Sequence, residues 1–277
     1  MEGMRIDYPL KFQPNLHPAL WGVESWEVSV HPAGPSVIAN GPLAGRSLRE
    51  VLPDFHLLIK VIDARTRLSV QVHPNERTAP LTGGDPKTEM WCLLKDGFIY
   101  AGLKPGTDSD AVASAVSSGR FEELLVRHDA KCGDAFFIPG GLVHAIGDDV
   151  KLFEVQQSSD TTYRLYDWGR VGKDGKPREL HVEKSLQAID YALPTPVPAA
   201  AVRCGFFDFR TFALQGECRP GAAFAPVVLH AARGGFTVDG VTVAEGESVL
   251  VPAGLAPVLF GDSTVLLASE KEIPWKV

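Results

Sequence analysis

Gln71, His73, Lys87 and Glu89 lie in one short stretch, QVHPNERTAPLTGGDPKTEMW, which sets an amide, an imidazole, an ammonium and a carboxylate beside apolar residues. On an extended chain, side chains i and i+2 share a face. Ser69, Gln71 and His73 are therefore expected to point one way and Val70 and Val72 the other, and the same rule groups Lys87 with Glu89 and Trp91. Downstream, a Pro-x-Gly-x-x-His turn ends on His144. One amide oxygen, two imidazoles and one carboxylate suit a divalent transition ion, zinc foremost, with a position left for water or substrate. The absence of thiolate from the set argues against a purely structural zinc site.

Such groups need a rigid frame, and the surrounding sequence supplies strands. Short apolar or alternating runs, HLLIKVID, LSVQVHP, EMWCLLKD, FIYAGL, DAFFIP, KLFEVQQ and TYRLYDW, are separated by Gly, Pro, Asn and Asp. That spacing predicts a mainly β sandwich or barrel. Helical patterns are few. Asp108 to His128 reads as a helix, a glycine break and a second helix, capped at Thr107 or Ser109; a further helix is expected over Val182 to Tyr191 and a short one near Ser47 to Leu52. ALPTPVPAAA, Ala192 to Ala201, reads as a linker, beyond which strands resume. The expected domains are therefore 1–195, with a helical insertion around 106–128, and 202–277.

The two halves share a repeat. Gly133-DAFFI-Pro139-Gly-Gly141-LV-His144 matches Gly246-ESVLV-Pro252-Ala-Gly254-LA-Pro257 at each turn-forming position, with Pro257 where the first copy has His144. A histidine ligand is thus available to the first half alone.

Composition bounds the partners. Hydrophobic residues are 45% and charged residues 22%, ordinary for a globular protein. The formal charge of −7 argues against nucleic acid or an anionic membrane as partner, so an anionic substrate must be held by local cations. No stretch has the length of a membrane span and the N-terminus has no leader pattern, so the expected location is the cytoplasm. Cys92, Cys132, Cys204 and Cys218 have no C-x-x-C spacing and are expected to be reduced. Nothing in the chain specifies how many copies associate.

A Q-x-H strand, a downstream Glu and G-x5-P-x-G-x-x-H resemble the two metal-binding motifs of the cupin superfamily, with Gln71 in place of the usual first His and Asp148 in place of a usual Asn. The longer strings GVESWEVSVHP, LLIKVIDARTRLSVQVHPNE, KTEMW, IPGGLVHAIG and EVQQSSDTTYRLYDWGR are similar to the type I mannose-6-phosphate isomerases in their short bacterial form, from about Trp21 to Asp190. The C-terminal third matches only as a degenerate cupin. The resemblance implies two cupin, jelly-roll-like β-barrels, the second metal-free. It implies one zinc per chain on Gln71, His73, Glu89 and His144, and a polar substrate wall of Lys60, Lys87, Glu154 and Arg164.

The residues of that wall have weaker signals of their own. Lys60 interrupts the apolar run LLIKVI, where a charge must be paired, face a wet cavity or snorkel to water. Glu154 shares a face with Leu152 and Gln156, and Arg164 sits in an apolar strand, where arginine is more often an ion-pair partner. The implied activity is interconversion of mannose 6-phosphate and fructose 6-phosphate through a metal-assisted cis-enediol. Glu154 is the first candidate base and Lys87 the second, with His73 or a metal-bound water left open. Isomerisation of another aldose or aldose phosphate is the alternative in the same class. A catalytically silent sugar-phosphate-binding cupin is the alternative outside it.

Overall fold

The computed structural model describes residues 6–172, 175–273 and 275. In chain order its strands are β1 Leu16–Ala19, β2 Gly22–Val28, β3 Leu57–Ala64, β4 Val70–Val72, β5 Glu89–Leu93, β6 Gly97–Leu103, β7 Leu125–Ala130, β8 Ala135–Ile138, β9 His144–Ile146, β10 Val150–Gln157 and β11 Tyr163–Tyr166. They continue with β12 Ala201–Arg203, β13 Asp208–Cys218, β14 Val227–Val238, β15 Val241–Val243, β16 Ser248–Val251 and β17 Leu259–Ser269. The helices are α1 Leu48–Val51, α2 Ala79–Thr82, α3 Ser109–Ser118 and α4 Val182–Ala188. The fold is mainly β, as the alternating runs predict, and hydrogen bonding among the described residues closes no barrel. No helix is long and apolar enough to cross a membrane.

The chain divides into two compact units, His17–Glu24 with Val61–Ala199, and Met1–Leu16 with Ser25–Lys60 and Ala200–Val277. One cut, after Ala199, falls inside the expected linker; the others fall within β1, β2 and β3.

In the unit built on Val61–Ala199, one sheet places β10 beside β5 and β5 beside β8, and a second runs β11-β4-β9-β6-β7. Trp91, Leu93, Phe136, Ile138 and Leu152 of the first meet Ile99, Ala101 and Ile146 of the second in one core. The outer face of the second sheet carries Val70, Val72, Ala145, Tyr163 and Leu165, and Val112 and Ala115 of α3 and Ala188 of α4 cover it. This explains the alternation around Gln71. Its two valines face the helices, so its own side chain faces between the sheets.

The helical insertion departs from expectation. Asp108, not Thr107 or Ser109, caps α3, its carboxylate accepting from the Ala111 amide at 2.8 Å from an extended backbone. Gly119, at φ 71°, ends the helix. No second α-helix follows. Phe121–Leu124 forms one 3-10 turn, and Leu125–Ala130 then pairs with β6 as a strand, burying its two end residues.

In the other unit β12-β13-β17-β14-β15 form a sheet, with β16 also pairing β14. Its core includes Phe212, Leu214, Val227, Leu229, Val249, Val251, Val265, Leu267 and Trp275.

Candidate metal centre

Three ligand-type residues converge between the sheets. His73 follows β4, Glu89 opens β5 and His144 opens β9, and a ligand atom of each lies within 4.8 Å of the others. All three are buried. The loops that deliver them are tied together. Gly141 N donates to the His73 carbonyl at 2.8 Å, Lys87 N to the Pro74 carbonyl at 2.9 Å, and Gly140 N to Thr88 Oγ1 at 3.1 Å. The glycines of the Pro-Gly-Gly turn are required: a Cβ on Gly140 would come within 2.7 Å of the Pro74 carbonyl oxygen, and Gly141 stands at φ +99°.

The polarity of the imidazoles follows from their partners. His73 Nδ1 lies 2.8 Å from the Thr161 carbonyl and His144 Nδ1 2.8 Å from the Leu142 carbonyl. A carbonyl only accepts, so each Nδ1 carries the proton and each Nε2 presents a lone pair to the site. Burial, reinforced by the Lys87 ammonium, lowers the His73 pKa to about 3, and burial lowers that of His144, so both rings are neutral at ordinary pH. The Nε2 atoms are only 3.2 Å apart, and they lie 3.4 Å (His73) and 3.5 Å (His144) from the Glu89 oxygens.

Glu89 remains ionised. Burial opposes its charge, but the Lys87 ammonium outweighs that and holds its pKa well below the usual carboxylate range. Lys87 Nζ stands 2.8 Å from Glu89 Oε2 and 3.1 Å from His73 Nε2. The first contact is a buried ion pair, and Glu89 Oε1 has no hydrogen-bond partner among the described residues. Two imine lone pairs and a carboxylate therefore face one another in a buried site with one ammonium among them. A set of acceptors this crowded calls for a cation, and the residues fit a divalent ion.

The remaining expected site residues fall as follows. Gln71, half-buried, is the cross-strand partner of both His144 and Arg164, so the three share a face across β11-β4-β9. Glu154 is buried on β10 opposite Trp91, whose indole N–H donates to Glu154 Oε2 at 2.8 Å. Arg164 Nη1 donates to the Glu179 carbonyl at 2.8 Å, while Nε is buried with no acceptor among the described residues. Burial, followed by the neighbouring Arg178, lowers the Arg164 pKa. Lys60 belongs to the other unit, 6% exposed, with its amine 5.3 Å from the centre of the Trp26 ring. Asp148 is tied to Arg67, its Oδ1 accepting from the Arg67 amide at 2.8 Å and its Oδ2 from Nε at 2.9 Å.

Sequence reasoning missed the Thr161 and Leu142 carbonyls that set both tautomers, because a main-chain carbonyl carries no residue-type signal. It also missed Arg170 and Arg178, which clamp Asp167 with Nε distances of 3.1 and 2.7 Å.

No family model matches the chain. The chain is 32% identical to mannose-6-phosphate isomerase ManA of Bacillus subtilis (strain 168), covering 89% of itself and 94% of that relative. The crystal structure of the mannose 6-phosphate isomerase from Bacillus subtilis superposes with a TM-score of 0.84 at 25% identity, over 95% of this chain and 99% of that one. A zinc-bound holo form of mannose 6-phosphate isomerase superposes with a TM-score of 0.75 at 16% identity, over 95% and 100%.

Proposed function

This chain belongs to the mannose-6-phosphate isomerase family, and on that premise we propose that it interconverts mannose 6-phosphate and fructose 6-phosphate with one zinc ion per chain. Gln71, His73, Glu89 and His144 would hold the ion. The observation that carries this reading is the pair of Nε2 lone pairs 3.2 Å apart beside the buried Glu89 carboxylate. Zinc is favoured by the nitrogen and oxygen donors and by the zinc-bound structural neighbour. When bound, the ion supplies Lewis acidity toward the sugar's C1 and C2 oxygens.

The chain's own side chains do the rest. Isomerisation moves a proton between C1 and C2 through a cis-enediol, and Glu154, buried and oriented by the Trp91 indole, is the proposed base. Lys87, 2.8 Å from a ligand carboxylate, belongs with the reacting carbons and offers N–H donors to the enediol oxygens. Arg164, with an uncommitted buried Nε, steadies developing negative charge at the same end. The phosphate needs a local cation as well, since an acidic protein must hold a dianion by nearby positive charge.

The test is production of the matching ketose from a panel of aldoses and aldose phosphates, read for mannose 6-phosphate as fructose 6-phosphate. The expected result is turnover of mannose 6-phosphate, lost on chelation and restored by zinc. Turnover of a different aldose in its place would move the assignment within the isomerases, and binding without any turnover would make this a silent sugar-phosphate-binding protein.

A further inference from the structure

Gln156 is fully buried on β10, on the same face as Glu154 and directly across from Glu89. The reaction as described makes no use of it. Its amide nitrogen is committed, Nε2 donating to the carbonyls of Gln157 at 2.8 Å and Ser159 at 2.6 Å. Those acceptors fix which end of the amide is which, because a flipped amide would set Oε1 against two carbonyl oxygens. Oε1 is thus an oriented acceptor, and no donor among the described residues reaches it. Its cross-strand neighbour Glu89 is itself an acceptor, so the pair destabilises the protein unless a third group brings a hydrogen.

An amide oxygen neither takes nor gives a proton at neutral pH, so it can hold a hydroxyl but not drive the chemistry. Resting on the isomerase reading above, we propose that Gln156 is a substrate-binding residue whose Oε1 accepts a hydrogen bond from a non-reacting hydroxyl of the sugar phosphate, at C3 or C4. The C1 and C2 oxygens are assigned to the proton transfer and to the ligand cluster; the hydroxyls next along the sugar are those left to satisfy an acceptor one cross-strand step from Glu89. Such an acceptor also selects, since a sugar lacking that hydroxyl leaves a buried oxygen unpaired.

The test compares zinc-loaded wild type with Gln156→Met, which keeps the side chain's length and removes the acceptor, on mannose 6-phosphate and its 3-deoxy and 4-deoxy analogues. Wild type should lose roughly ten- to a hundredfold in kcat/KM on one analogue. In Gln156→Met the parent sugar should fall by a similar factor and that analogue no further, with zinc content unchanged. Gln156→Asn, which withdraws the same amide by one methylene, should show the same collapse of discrimination and covers the case in which the methionine variant does not fold. Wild type that treats both analogues like the parent overturns the inference. So does an equal fall on all three sugars in both variants, the trace of a purely structural glutamine. Wild type that turns over no mannose 6-phosphate overturns the isomerase reading itself, and this inference with it.

Discussion

The turn that ends on His144 and the turn that ends on Pro257 are built alike and enclose opposite interiors. Gly133 and Gly246 stand at φ 94° and 83°, Gly141 and Gly254 at 99° and 79°. Leu142 N reaches the Pro139 carbonyl at 3.0 Å and Leu255 N the Pro252 carbonyl at 3.3 Å. In one unit this frame opens β9 with a buried imidazole that joins a cluster of ligand-type residues. In the other it leads through Pro257, which has no ligand atom or backbone donor, to β17 and an interior of apolar side chains. His230, buried on β14, bonds Ser248 Oγ at 2.9 Å and joins no metal-type cluster among the described residues. The same backbone turn carries a candidate ligand in one copy and none in the other. We propose on this ground that residues 202–277 form a degenerate, metal-free cupin.

Substitutions can break that contrast. The largest effect is expected from His144→Ala, which should abolish zinc binding and reduce isomerase activity by roughly three orders of magnitude or more while the fold persists; near-normal zinc in the purified variant would remove His144 from the ligand set. Arg164→Ala should lower kcat by about two orders of magnitude with KM little changed, and Arg164→Lys should rescue little, because a point charge on a flexible stem lacks the planar fork. A raised KM at unchanged kcat would transfer Arg164 to the phosphate.

In the apolar unit the expected damage is to stability. Leu267→Ala should cost about 2–5 kcal/mol in denaturant unfolding, read at the transition of that unit, with kcat below the transition unchanged. An equal loss of kcat would mean that the two interiors are not separable.

The polar unit should instead be sensitive to acid once its metal is removed. His73 has a folded pKa of about 3, below its unfolded value of about 6.5, so the unfolded chain binds more protons between those values. Stability from the neutral ring is fully present above pH ~6.5 and is lost as pH falls toward 3. Glu89, also depressed, acts with the same sign at the acid end. Thermal melts of chelated protein should fall across this window, and His73→Gln should flatten the profile; an unchanged slope would mean that the ring is not buried neutral. The smallest effect is expected from Pro257→His, which should leave metal content unchanged, because the metal-type cluster among the described residues is His73, Glu89 and His144.

Much of the site was legible because strand periodicity is strict. Lys87, Glu89 and Trp91 could be grouped from spacing alone, as could Glu154 with Gln156, and in the structure Glu89 and Trp91 of β5 lie directly across from Gln156 and Glu154 of β10. The repeat was legible because glycine and proline mark fixed backbone angles. The second helix was misread because FEELLVRH offers good helix formers, whereas the strand at Leu125–Ala130 exists through its ladder with β6, a partner no local window contains.

The sequence by itself determined which chemistry was on hand: the donor types, their shared faces, the Pro-x-Gly turn and the absence of a histidine from the second copy. Tertiary structure decided how that chemistry is arranged. The β4–β9 register sets Gln71 opposite His144, and the β10–β5 register sets Gln156 opposite Glu89. The Thr161 and Leu142 carbonyls turn two ordinary imidazoles into outward lone pairs, and burial keeps those rings neutral. These are properties of pairing and dielectric, which arise only when segments distant in the chain are packed together and water is excluded between them.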